Sequence, residues 1–202
     1  GPYASEASVA RTVGRISAAH PRLRLQIHTL DPEDIIRKLK TGLCDIGVVD
    51  IFGLDHEPDL TVQPLPAHAI FVACRPGHPL TQKAELRIEE LLRFPLVSTP
   101  MRGTLAAIVG NNSTVGHLDA TSSRFLPAIQ VNSLSLARQI ACESDALFPG
   151  TAAMLTSDLA AGRLVQLNFR IPAMRTSYGI IQRRDRTPSP ALKLFVTTLR
   201  LV

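Results

Sequence analysis

The segment "TLDPEDIIRKLKTG", residues 29–42, carries the signals for both ends of a helix. Asp31 stands at the N-cap, Pro32 at the first helical position, and Glu33 and Asp34 complement the positive end of the helix dipole. Ile35, Ile36 and Leu39 supply one apolar stripe, and Gly42 follows the last turn, where a left-handed backbone is needed. In front lies "RLRLQIH", whose Leu23, Leu25 and Ile27 alternate as in a half-buried strand. Behind lies "CDIGVVDI", a mostly apolar strand. Strand, helix and apolar strand in so short a span predict a βαβ unit, with parallel strands and a right-handed crossover.

The alternation continues to the end of the chain. Ser5 is read as the cap of a helix running to about His20, with Val9, Val13 and Ile16 on one face. Residues 69–74 form a strand, "RIEELLR" a short helix and "FPLVS" another strand, and the loop from Ser98 to Thr104 opens a further helix. "GNNSTVGHLDATSS" reads as a surface loop and "AIQV" as a strand, after which Ser133 caps a helix carrying Leu136, Ala137 and Ile140. "ALFP" is a short buried strand, and Thr151 and Gly162 bracket the helix of "TAAMLTSDLAAG". "RLVQL" and "SYGIIQRR" are strands, and a closing helix turns Leu192, Phe195, Val196 and Leu199 inward. The class is α/β.

Composition excludes several functions. With 202 residues and 45% hydrophobic content the chain can bury a substantial core, as one domain or two small lobes. No apolar run reaches the roughly 18 residues of a membrane span, and no signal peptide precedes the first helix. Cys44, Cys74 and Cys142 are scattered without metal-ligand spacing, which predicts buried thiols in a reducing, cytoplasmic setting. The net charge of +5 is spread out, its densest cluster being Arg183, Arg184 and Arg186 around Asp185. Two Tyr and no aromatic-basic interleaving leave nothing for stacking on single strands, so the chain itself is not expected to bind DNA. No GxSxG, P-loop, GxGxxG or HExxH motif is present, and the six histidines never fall at i, i+4 spacing. No catalysis, metal or cofactor is expected. In "RPGHPLTQ", His78 sits between Gly77 and Pro79 with no orienting partner beside it, so it marks a turn rather than a general base.

Four strings come in a telling order: "AAHPRLRLQI…LKTGLCDIGVVD", "FVACRPGHPL", "IEELLRFPLVS" and "NSLSLARQIACESDALFPGTAA". Together they resemble the effector-binding domains of LysR-type transcriptional regulators over nearly the whole chain. The resemblance implies two Rossmann-like lobes joined by two crossover strands, the type 2 periplasmic-binding-protein fold. Residues 1–70 and 178–202 would form the first lobe and 71–177 the second. It implies a small-molecule effector in the inter-lobe cleft, and DNA contact only through an N-terminal winged helix-turn-helix that this chain lacks. A homodimer is implied too, with a tetramer for the full-length protein and no membrane partner. The alternative with the same fold is a periplasmic solute-binding protein.

Ligands of open α/β sheets sit beyond the carboxyl ends of strands, where helix starts offer free N–H groups. The candidate effector-binding residues are therefore Tyr3, Ser5, Leu30, Asp31, Pro32, Ser98, Thr99, Arg102, Thr104, Asn132 and Ser133. Pro32 supplies neither hydroxyl nor N–H, and Asp31, Glu33 and Asp34 put negative charge at that helix start. An acidic effector is expected to place its charge on the second lobe, at Ser98, Thr99 and Arg102.

Overall fold

The structure, a computed structural model, describes residues 1–54, 57–103, 106–107, 114–122 and 124–201. The chain divides into two units, Gly1–Ala67 with Ser177–Val202, and His68–Thr176. It passes from the first to the second after Ala67 and returns after Thr176.

In unit 1, helix α1 spans residues 2–19 and includes a π-type turn at Ser5–Val9. Pro2 at its first position starts this helix before Ser5 is reached. Ser5 is therefore no cap: its Oγ lies inside the helix and donates to the Gly1 carbonyl at 2.9 Å. Helix α2 (Pro32–Lys40) begins at Asp31 and ends where Gly42, at φ 74°, lets Leu43 N–H donate back to the Lys38 carbonyl. Strand β1 (Gly47–Asp50) pairs with β10 (Tyr178–Arg183), which pairs in turn with β2 (Leu60–Pro64), all antiparallel. Helix α2 sits close on this sheet. A Cβ at Gly47 would lie 2.6 Å from the Ile35 side chain and 2.7 Å from that of Ile181. The C-terminal helix α6 (Pro190–Leu199) buries Phe195 and Leu199 against Val9 and Ile16 of α1. The apolar stripe of α1 is thus consumed by the core of its own unit.

The predicted βαβ unit is only half realised. Residues 23–28 alternate in burial through Leu23 and Leu25, yet among the described residues they pair with no strand. A cavity lies between them and β1, and it separates the two main-chain edges that would have to meet.

Unit 2 holds the parallel strands. β4 (Val97–Ser98) runs parallel to β7 (Ile129–Gln130), and a parallel bridge from Leu96 to Leu147 leads to β8 (Phe148–Thr151). β3 (Ile70–Cys74) pairs antiparallel with β8 and with β9 (Val165–Gln166). Helix α3 (Ile88–Leu91) precedes β4, while α4 (Leu134–Glu143) follows β7 and α5 (Ala152–Ala160) follows β8. The core gathers Leu91, Leu96, Phe125, Leu147 and Met174.

The stretch read as a surface loop contains a strand. β5 (Gly116–Asp119) forms an antiparallel ribbon with β6 (Arg124–Pro127). In β5, His117 and Leu118 are both exposed, so this strand lacks the usual alternation, whereas β6 alternates and turns Phe125 and Pro127 inward. A Cβ at Gly116 would lie 2.2 Å from the Leu126 carbonyl, which reserves the position for glycine. Residues 110–113 and 123 of that stretch lie outside the described residues. His78 is fully buried and begins a short helical turn, Pro79–Gln82. Its Nδ1 accepts the Leu80 N–H at 3.1 Å, and its Nε2 lies 3.3 Å from the Asp145 carbonyl oxygen. The turn reading of this histidine holds.

Candidate functional site

Parallel strands bring their carboxyl ends to one edge of a sheet, and the helices that follow start there. In unit 2 this edge collects the ends of β4, β7 and β8. Ser98 and Thr99 leave β4 and are both buried; Arg102, half-buried, comes next. Thr104 lies outside the described residues. After β7, Asn132 is exposed, and Ser133 caps α4, its Oγ accepting the Leu136 N–H at 3.3 Å. Ser98, Thr99, Arg102, Asn132 and Ser133 thus belong to one edge of one unit.

The structure adds Thr151 to them. This residue ends β8 and stands at the N-cap of α5, with 3% of its surface exposed. Ser133 and Ser189 in the same position accept a helix N–H with their side chains, but Thr151 makes no such bond. Among the described residues its Oγ1 is buried with no hydrogen-bond partner. Such a group costs about 1–3 kcal/mol. The sequence marks Thr151 only as a cap. What hides its second aspect is the pairing of β8 beside β4, which no local pattern encodes.

The helix starts at the candidate residues differ in their electrostatics. The first turns of α4 and α5 carry no acidic residue, so their N–H groups offer an unopposed positive field. The first turn of α2 carries Glu33 and Asp34, the latter paired with Arg37 at 2.7 Å. In unit 1, Thr29 Oγ1 donates to Ser5 Oγ at 3.3 Å, and the Tyr3 ring centroid lies 6.2 Å from that of Tyr178. Leu30, Asp31 and Pro32 are half-buried beside them in sequence, and the Asp31 side chain makes no capping bond. Burial pushes the Tyr178 hydroxyl well above its ordinary range, with Tyr3 and Asp50 adding to the effect. The Gly1 ammonium donates to the Val48 carbonyl at 2.5 Å. Burial pushes this amine down to about 5, against the opposing pull of Cys44 and Asp31.

Two voids lie among the described residues of these units. One of about 30 Å³ lies in the core of unit 2 among Val72, Leu91, Phe94, Leu147 and Met174, and it is a packing gap. The larger, about 360 Å³, is the unit 1 cavity beside β1. Among the described residues no group of three His, Cys, Asp or Glu could hold a metal ion.

Known proteins resolve what this arrangement belongs to. The family model for the LysR substrate binding domain matches residues 1–201. The chain belongs to that family. A curated relative, the SDS degradation transcriptional activation protein of a Pseudomonas species, is 29% identical over 95% of this chain and 61% of its own length. The uncharacterized HTH-type transcriptional regulator YdcI of Escherichia coli is 26% identical over 98% of this chain and 63% of its own. The chain thus spans about three-fifths of the length of these two LysR-family relatives. The effector binding domain of BenM solved with benzoate has a TM-score of 0.70 at 17% identity, covering 98% of this chain and 86% of that one. The regulatory domain of MetR from N. meningitidis gives 0.68 at 17%, with 96% and 86% covered. The α/β fold is that of LysR regulatory domains, the type 2 periplasmic-binding fold. Membership decides for a regulator's ligand-binding domain over a periplasmic solute-binding protein, and the family is one of transcriptional regulators rather than enzymes.

Proposed function

We propose that this LysR substrate binding domain senses a small organic anion and holds its charge at the strand ends of unit 2. The observation that carries the proposal is the buried Thr151 hydroxyl without a partner, at the start of a helix whose first turn is free of acid. Ser98, Thr99 and Ser133 add hydroxyls on the same edge, and Arg102 supplies a guanidinium suited to a carboxylate or sulfate. In the same proposal Tyr3, Leu30 and Pro32 of unit 1 offer apolar surface, while Asp31 and Ser5 bring no positive charge. Benzoate, bound by BenM, and an alkyl sulfate, in keeping with the name of the Pseudomonas relative, are the probes to begin with. In the longer polypeptide, effector binding would alter DNA contact made by a separate winged helix-turn-helix, in a cytoplasmic homodimer or tetramer.

Calorimetry with benzoate and hexyl sulfate tests this. A hydrogen bond to a charged group is worth about 1.5–3 kcal/mol, so Thr99→Ala and Thr151→Val should each weaken binding roughly tenfold to a hundredfold. Arg102→Ala should weaken it at least as much. Unchanged affinity in all three folded variants refutes the placement.

A further inference from the structure

Helices α4 and α5 both start at the edge described above, and a buried carboxylate ties them together further along. Asp158 stands in the last turn of α5 with 6% of its surface exposed. Its Oδ1 accepts two bonds from Arg163, from Nε at 2.9 Å and from Nη2 at 2.6 Å. Its Oδ2 lies 3.0 Å from Nε of Arg138, a half-buried residue of α4. The two oxygens thus face different elements. Oδ1 closes the end of α5, where the Asp158 carbonyl also accepts the Arg163 and Leu164 N–H groups, while Oδ2 reaches across to the neighbouring helix. Asp158 follows Thr151 by about two turns of α5, which puts both on one face of that helix. Beyond Leu134 in its first turn, the buried residues of α4 are Ala137 and Ala141. A methyl group interdigitates little, so packing on alanines leaves a helix some freedom to slide and roll. An ion pair fixes direction as well as distance. Compared with apolar side chains of similar volume, a buried pair of this kind adds little net stability, so what it supplies is geometry.

We propose that Asp158 is a positioning residue for the anion-binding edge. Through Arg138 it locks α4 to α5, and so sets Ser133 and the N–H groups of the α4 start against Thr151. The inference rests on the placement of the anion at the strand ends of unit 2. Asp158 itself touches no ligand: it stands two turns away and acts through the helix that Arg138 belongs to. Arg163 holds the same carboxylate but belongs to the segment after α5, so it has no part in the spacing of the two helix starts.

Arg138→Met and Arg163→Met each remove one arginine from the same carboxylate, but only the first cuts the link between the helices. The Leu136 and Ala137 amides donate to the Ser133 side chain and carbonyl, so they report on the α4 start without any ligand. Their hydrogen exchange should quicken about tenfold in Arg138→Met and keep the wild-type rate in Arg163→Met. Calorimetry with benzoate and hexyl sulfate should show affinity about tenfold weaker in Arg138→Met, as for one lost bond to the anion, and unchanged in Arg163→Met. Arg138→Lys, which keeps a cation facing Oδ2, should recover part of both effects. Equal exchange at Leu136 and Ala137 in the two methionine variants overturns the proposal, whether or not either anion binds. If Thr151→Val weakens binding and Arg138→Met does not, the placement of the anion stands and the role of Asp158 falls. If Thr151→Val also leaves binding unchanged, or the wild type binds neither anion, the placement falls and the positioning role falls with it.

Discussion

Thr151 keeps a hydroxyl where a methyl group would be cheaper. Without ligand, Thr151→Val removes an unsatisfied buried polar atom at nearly constant volume, so urea denaturation should show about 1 kcal/mol of added stability. Opposite signs for stability and for ligand affinity are the signature of a functional hydroxyl. A loss of stability instead would mean that the hydroxyl serves the fold. Gly47 is set by packing alone. A Cβ there would press on Ile35 and Ile181, both deep in the core, so Gly47→Ala should cost about 1–3 kcal/mol, read as a lowered urea midpoint. An unchanged midpoint would mean that α2 moves off the sheet without penalty.

At the scale of elements, the turn at His78 joins stability to pH. Burial lowers the pKa of this imidazole below 6.5, an effect that Arg75 reinforces and that the carbonyl and carboxylate of Asp145 oppose. The unfolded chain protonates near 6.5 and the folded chain only at lower pH, so in between the unfolded state binds more protons. Stability contributed by His78 is therefore present above pH 6.5 and is lost as pH falls through the folded value. The Gly1 amine, lowered from 8.0 to about 5, acts with the same sign between those values. Because the amine is common to both proteins, urea midpoints at pH 7.5 and 5.5 should fall further for wild type than for His78→Gln. Equal falls would contradict this role. Elements with explicit signals were legible in the sequence: α2 through Pro32 and Gly42, α4 through Ser133, and α6 through the apolar stripe that includes Phe195 and Leu199. β2 was not, because "LTVQP" has neither strict alternation nor an apolar run. The β5–β6 ribbon was not, because polar residues on a two-stranded surface element look like a loop. Residues 23–28 taught the converse: alternation records which side faces the core, while a ladder also requires a neighbour.

For the whole molecule, the starts of α4 and α5 in unit 2 offer donors while the start of α2 in unit 1 carries acidic side chains, and neither feature follows from the net charge of +5. The family and the α/β class could be read from strings spread along the chain, but the site could only be listed loop by loop until the parallel strands of unit 2 put Ser98, Ser133 and Thr151 on one edge. Assembly is a property of this scale too. Because the apolar stripe of α1 is covered by α6, a homodimer cannot draw on Val9 and Ile16, and charge reversal at the exposed Arg11 and Arg15 should disrupt it instead. Sedimentation at high micromolar concentration should report a dimer for wild type and a shift toward monomer for the reversed variant. A wild-type monomer would contradict the proposed assembly. The most direct test of the ligand reading is an amide chemical-shift titration of the wild-type chain with benzoate and hexyl sulfate. The reading predicts saturable shifts concentrated at Ser98–Gly103, Asn132–Leu136 and Thr151–Met154. Saturable shifts confined to the helix starts of unit 1, or none with either anion, would contradict it.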